Sequence, residues 1–166
     1  MRPGSSLQDI ADEAHIGRAT LHRYFPTRGE LVRALAHDAI ARTAEAIREA
    51  HLGLDPASEA LRRLVGGLMP LGDRFHYLLI EPLVESDPQI AKAGERLFAP
   101  ISELFRRGQE QGAFRADLSV AWSATLFEST LYAAWQAIHK GDLAPNQAVD
   151  VVMRTLLSGL GPERRT

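Results

Sequence analysis

The sequence contains no cysteine, which removes disulfides, thiolate metal sites and cysteine nucleophiles together. It also lacks any uninterrupted apolar segment near the ~18 residues that a membrane-spanning helix needs. The opening Met1-Arg2-Pro3-Gly4-Ser5-Ser6 has no apolar run behind its arginine, so it does not read as a secretory leader. These absences predict a cytoplasmic protein with no membrane partner. No G-x-S-x-G elbow, H-E-x-x-H pair or G-x-x-x-x-G-K-[ST] loop is present, and the six histidines, at 15, 22, 37, 51, 76 and 139, have no metal-ligand spacing. Catalysis, a metal and a cofactor are therefore not expected. A charge of one sign is missing too: the formal net charge is −2, so nucleic-acid binding cannot be argued from the whole chain.

What is there is a chain of 166 residues, 45% apolar and 24% charged, which is ordinary globular usage and enough for a real core. Its punctuation is helical. Ser6-x-x-Asp9 reads as a capping box opening a short helix, with Ser5-x-x-Gln8 as the alternative start one residue earlier. Thr27-x-x-Glu30, directly after Pro26, opens a longer, alanine-rich helix that should reach about Ala50. Gly53 and Asp55-Pro56 break and restart the chain, and Leu61, Leu64, Val65 and Leu68 give the next apolar face before Pro70 and Gly72. Asp73 can cap a segment with Phe75, Leu78, Leu79 and Leu83, which Pro82 must end or kink. Asp87-Pro88 starts a helix carrying Ile90, Leu97, Ile101, Leu104 and Phe105 as far as Gly112.

Two more helices follow. The first, Ser119 to Lys140, is apolar almost all round, with Trp122, Leu126, Phe127, Leu131, Tyr132, Trp135 and Ile138 about the wheel, so it needs partners on several faces. The last runs from Pro145 to about Leu160 with Val149, Val152, Leu156 and Leu160 on one stripe. No alternating run indicates a strand. The expected class is all-α.

Local charge departs from the average. Between His15 and Arg33, four arginines and two histidines face one acid, Glu30. The two short helices there, split by His15-Ile16-Gly17, fit a helix-turn-helix, whose second member lies in the DNA major groove. Ile10, Ala11, Ala14, Ile16, Leu21 and Phe25 supply inward positions, leaving Arg18, Thr20, His22 and Arg23 outward. Arginine can pair bidentately with guanine, threonine meets thymine, and small Ala19 permits close approach. Tyr24, Thr27, Arg28 and the Ser6 helix start suit phosphate contacts, and Arg33 is a further cation for that task. A plain helical hairpin with a solvated face would show the same spacing.

The stretch LQDIADEAHIGRATLHRYFPTRGELVRAL, Leu7 to Leu35, resembles the DNA-binding region of the tetracycline-repressor (TetR) family of bacterial transcription regulators. The matching residues are Ile10, Ala11, Ala14, Leu21, Tyr24, Phe25, Pro26, Thr27, Arg28 and Leu31. The resemblance implies a head over residues 1–45 that reads near-palindromic, double-stranded operator DNA, and a body over residues 46–166 that binds a small-molecule effector. It also implies a homodimer through the last two helices, usually acting as a repressor. Three departures stand out. The family has a further helix ahead of the serine, so the head is expected to be incomplete and its operator binding weak in this form. His15 occupies a turn position usually held by glycine, which histidine tolerates better than most residues. His22 replaces the usual tyrosine.

In the body, Thr125, Glu128, Tyr132, Trp135 and His139 recur at intervals of three and four; an acid framed by aromatics can hold a cationic or hydrogen-bonding ligand. An internally satisfied glutamate is the competing reading. Phe75, His76, Tyr77, Glu81 and Phe98 are candidates because the family's pockets lie between the central helices. Two alternatives stay open: a dimeric small-molecule-binding or scaffold protein that has lost DNA binding, and, less supported, an enzyme.

Overall fold

A computed structural model describes residues 5–54, 56–72 and 87–161. The expected segment from Asp73 with Phe75, Leu78, Leu79, Pro82 and Leu83 lies outside the described residues. Among those described there are helices and turns and no strand.

The order is α1 (Leu7–Glu13), α2 (Arg18–Tyr24), α3 (Arg28–Glu49), α4 (Ala57–Leu68), a 3-10 turn (Met69–Leu71), α5 (Pro88–Glu110), α6 (Val120–Lys140) and α7 (Pro145–Leu160). The caps set these bounds. Ser6, not Ser5, caps α1: its hydroxyl accepts from the Asp9 N–H at 3.2 Å while Asp9 accepts from the Ser6 N–H at 2.8 Å. Thr27 and Glu30 make the same reciprocal pair at α3, with Glu30 N–H to Thr27 at 3.2 Å and Thr27 N–H to Glu30 at 3.1 Å. The α-helix ends at Leu68, just before Pro70 as the sequence suggested, and the chain tightens into the 3-10 turn while Gly72 keeps helical backbone angles. Pro100 sits within α5 on an exposed position, where water can serve the carbonyl its missing N–H leaves free.

The body's core joins α4, α5, α6 and α7. Phe105 is fully buried with Phe114 and Phe127 at centroid distances of 5.5 and 6.0 Å. Burying each such side chain contributes about 1.5–3 kcal/mol. A close approach is built in at Gly108, where a Cβ would stand 2.1 Å from the Phe114 ring. The helix α3 runs unbroken through position 45, so the head and body share one rod.

Candidate DNA-reading head and ligand cavity

The head begins with α1 and a tight reversal. Its C-terminal turn is a Schellman motif: the Ile16 N–H donates to the Ala11 carbonyl at 3.0 Å and the His15 N–H to the Asp12 carbonyl at 3.1 Å. His15 takes the left-handed φ of 54° this motif requires, as the sequence suggested. The chain then enters α2, which turns only Leu21 into the protein. Arg18, Ala19, Thr20, His22, Arg23 and Tyr24 are all exposed. Tyr24 reaches 66% exposure, with the Arg23 guanidinium 5.1 Å above its ring. This is the geometry a groove-entering helix needs: one anchoring leucine and an outer surface made of donors.

Other expected positions divide. Ile10 and Phe25 are half-buried, but Ala14 and Ile16 are exposed, so the inward set is smaller than the spacing suggested. Ile16 follows the left-handed turn and is carried outward by it. Ser6 and Thr27 are exposed but already serve as caps. Hydrogen bonds from the Ser6 hydroxyl and N–H hold the Asp9 carboxyl below its ordinary range, so its support of α1 lasts as pH falls until that lowered value is crossed. Arg28 Nε donates to the Ser5 carbonyl at 2.9 Å, tying the start of α3 to the chain before α1. Arg33 Nε donates to Asp87 at 3.1 Å, so its charge faces an acid of the body instead of standing free for phosphate.

Behind the head lies an apolar cavity of about 480 Å³. Its walls come from α3 (Ala36, Ala39, Ile40, Thr43), α4 (Leu68), α5 (Ile90, Gly94, Leu97, Phe98, Ile101) and α6 (Phe127, Glu128, Ser129, Leu131, Tyr132, Trp135). Of the expected ligand residues, Phe98, Glu128, Tyr132 and Trp135 are brought together here. Thr125 is not: it is exposed outside the lining, and its hydroxyl donates to the Ala121 carbonyl at 3.0 Å. The three-four spacing assigned it to Glu128's face, but the part of α6 that lines the cavity starts at Phe127 and runs to Trp135. His139 is likewise outside the lining, and Phe75, His76, Tyr77 and Glu81 lie outside the described residues.

The polar groups of the cavity are unequally committed. Trp135 is buried and its indole N–H donates to the Met69 carbonyl at 3.2 Å, leaving only the ring face to the cavity. Gly72 permits that pose, since a Cβ there would lie 2.2 Å from the indole. The Tyr132 hydroxyl accepts from Gln136 at 2.6 Å, and the Thr43 hydroxyl donates to the Ala39 carbonyl at 2.8 Å. Among the described lining residues Glu128 is the one carboxylate, and burial pushes its pKa above the usual glutamate range. Sequence reasoning missed the α3 wall entirely, because Ala36 and Ala39 read there as helix formers.

Among the described residues no group of three or more His, Cys, Asp or Glu side chains could hold a metal, and no helix is long and apolar enough to cross a membrane. A helix-turn-helix with a polar outer face, rooted by one long helix in a helical body, defines a DNA-binding regulator. Residues 4–35 match the family profile described as bacterial regulatory proteins, tetR family. The chain is 32% identical to the HTH-type transcriptional repressor LfrR of Mycolicibacterium smegmatis over 95% of its own length and 82% of that protein. It is 26% identical to the HTH-type transcriptional regulator NfxB of Pseudomonas aeruginosa, across 99% of this chain and 89% of that one. The crystal structure of LfrR in complex with proflavine superposes with a TM-score of 0.76 at 31% identity, covering 94% of this chain and 85% of that chain. The chain belongs to the TetR family and is a DNA-binding transcriptional regulator, not an enzyme. Regulators of this family bind operator DNA and act as dimers with small-molecule effectors.

Proposed function

We propose that the chain is a homodimeric repressor, held on a near-palindromic operator by two α2 helices and released when a planar, cationic small molecule fills the cavity. One observation carries the reading: the cavity's wall includes Ala36, Ala39, Ile40 and Thr43 of α3, the same helix whose first turn supports the head. The reading head and the ligand-binding, dimerising body divide within α3 near residues 45 and 46, with Ala36, Ala39, Ile40 and Thr43 reaching the cavity from the head's side of that division.

In the head, Arg18, Ala19 and Thr20 meet base edges, and His22, Arg23, Tyr24, Thr27, Arg28 and Ser6 meet the sugar-phosphate backbone. The exposure of α2 around a single buried leucine supports this division of roles. In the body, Phe98, Tyr132 and Trp135 offer aromatic faces and Glu128 the charge that a flat cation would meet. The bound ligand of the relative LfrR agrees with that chemistry, since proflavine is a planar aminoacridine cation. The homodimer forms through α6 and α7, where the large apolar side chain of Trp122 is 56% exposed.

The test uses proflavine and a DNA duplex that the chain itself selects from a random-sequence pool. Quenching of Trp135 emission on proflavine addition, with loss of duplex binding over the same concentrations, is expected. Duplex binding that survives saturating proflavine, or a chain that neither selects DNA nor binds proflavine, contradicts the reading.

A further inference from the structure

The described residues form two apolar clusters. The larger is the core of the body around Leu64, Phe105 and Phe127. The smaller joins Ala36 and Ala39 of α3 to Ile90 of α5, with Leu35 and Ile40 packed against it. The cavity takes lining from both, so an occupant touches the body's core on one side and the α3–α5 junction on the other.

One turn beyond Ala36, toward the head, Arg33 Nε donates to Asp87 Oδ2 at 3.1 Å. Asp87 is the N-cap of α5, and its Oδ1 accepts from the Gln89 N–H at 3.0 Å. One carboxylate therefore fastens two things: one oxygen fixes the start of α5, the other holds the head-bearing end of α3. Its side chain is only 18% exposed, whereas that of Arg33 is 55% exposed. The small cluster and this pair thus share one short length of α3, directly between the head and the cavity.

We propose that the Arg33–Asp87 pair is the clamp through which filling of the cavity reaches the DNA-reading head, and that Arg33 is not a phosphate contact. The proposal rests on the effector reading above and specifies its regulation. An occupant that alters the α3–α5 separation at Ala36, Ala39 and Ile90 acts on a junction whose far end is pinned by a bond of limited reach. The pair then either drags the head with α5 or breaks and frees it, two discrete arrangements of the kind coupling requires. The Gln89 N–H and then Arg33 hold the Asp87 carboxyl below its usual range, so that carboxyl stays ionised at neutral pH.

The experiment compares four full-length chains: wild type, Arg33→Gln, Asp87→Asn and the double variant. Asparagine keeps the cap, since its side-chain oxygen accepts from the same N–H, while the charge is lost. The readout is the factor by which proflavine weakens binding to the selected duplex. Each single variant should lower that factor by about threefold, and the double by no more than either single, because the two residues act as one unit. Proflavine affinity without DNA and the salt slope should not change. An unchanged factor in both singles, or additive losses, overturns the clamp. So does a weaker, flatter salt response in Arg33→Gln alone, at about 0.9 per lost phosphate contact.

If proflavine fails to bind the wild-type chain, the effector reading fails, and amide exchange judges the clamp separately. Exchange over residues 31–37 should then quicken by the same factor in all three variants. Unaltered rates there overturn the clamp as well.

Discussion

At the scale of single residues, Glu128 makes the most specific demand on any ligand. Its pKa is raised by burial, so the protein favours the neutral acid at pH values where an ordinary glutamate is already charged. The sign follows directly. Stability present below the ordinary glutamate range is lost as pH rises through the raised value, while affinity for a cation grows over the same window. Titrating proflavine binding against pH should show that rise in the wild-type chain and a flat profile in Glu128→Gln; equal profiles would remove Glu128 from the site. On the head, Arg18→Ala should relax selection at one base position, whereas Arg23→Ala should weaken all duplexes alike and lower the salt slope by about one unit. Binding measured on a panel of single-base variants at several salt concentrations separates the two. Arg28 is a poorer probe of phosphate contact, since its Nε also ties Ser5 to α3.

At the scale of elements, close packing gives a sharper expectation than surface charge. Gly108 lies where a methyl group would meet Phe114 at 2.1 Å and Ala57 at 3.0 Å, so Gly108→Ala should cost about 1–3 kcal/mol of stability by denaturant unfolding, despite alanine's better helix propensity. A neutral or stabilising result would mean that α4 and α5 part more readily than the core suggests. Thr27→Ala should remove about 1 kcal/mol by opening the α3 capping box, and Thr27→Ser should restore most of it.

These elements also show what the sequence could carry. Capping boxes, the left-handed His15 and the starts and ends of α3, α5, α6 and α7 were legible because each is decided within a few residues. The cavity was legible at α6, where an acid among aromatics is conspicuous, and at Phe98 of α5 through the family resemblance. Its α3 wall and the rest of its α5 wall were not, because alanine and glycine leave space without any chemical mark, and because walls from four helices meet only through tertiary packing. Thr125 was misplaced for the same reason: spacing names a face, but the neighbours decide which part of that face is enclosed.

At the scale of the whole molecule, the account needs two copies, with their α2 helices set roughly 34 to 36 Å apart for successive major grooves. Trp122→Glu places a charge on an exposed position of α6 and should shift the chain toward monomer in sedimentation. Duplex affinity should fall with it, since a single head gains nothing from the second half-site. A dimer that persists with this substitution would move the interface elsewhere.

The most direct test of the account is the affinity for the selected duplex measured with and without saturating proflavine, at one fixed salt concentration. Weakening in the range of about 5- to 150-fold is predicted. An unchanged affinity in a chain that demonstrably holds proflavine would contradict the account, because the cavity and the head would then be independent despite sharing α3.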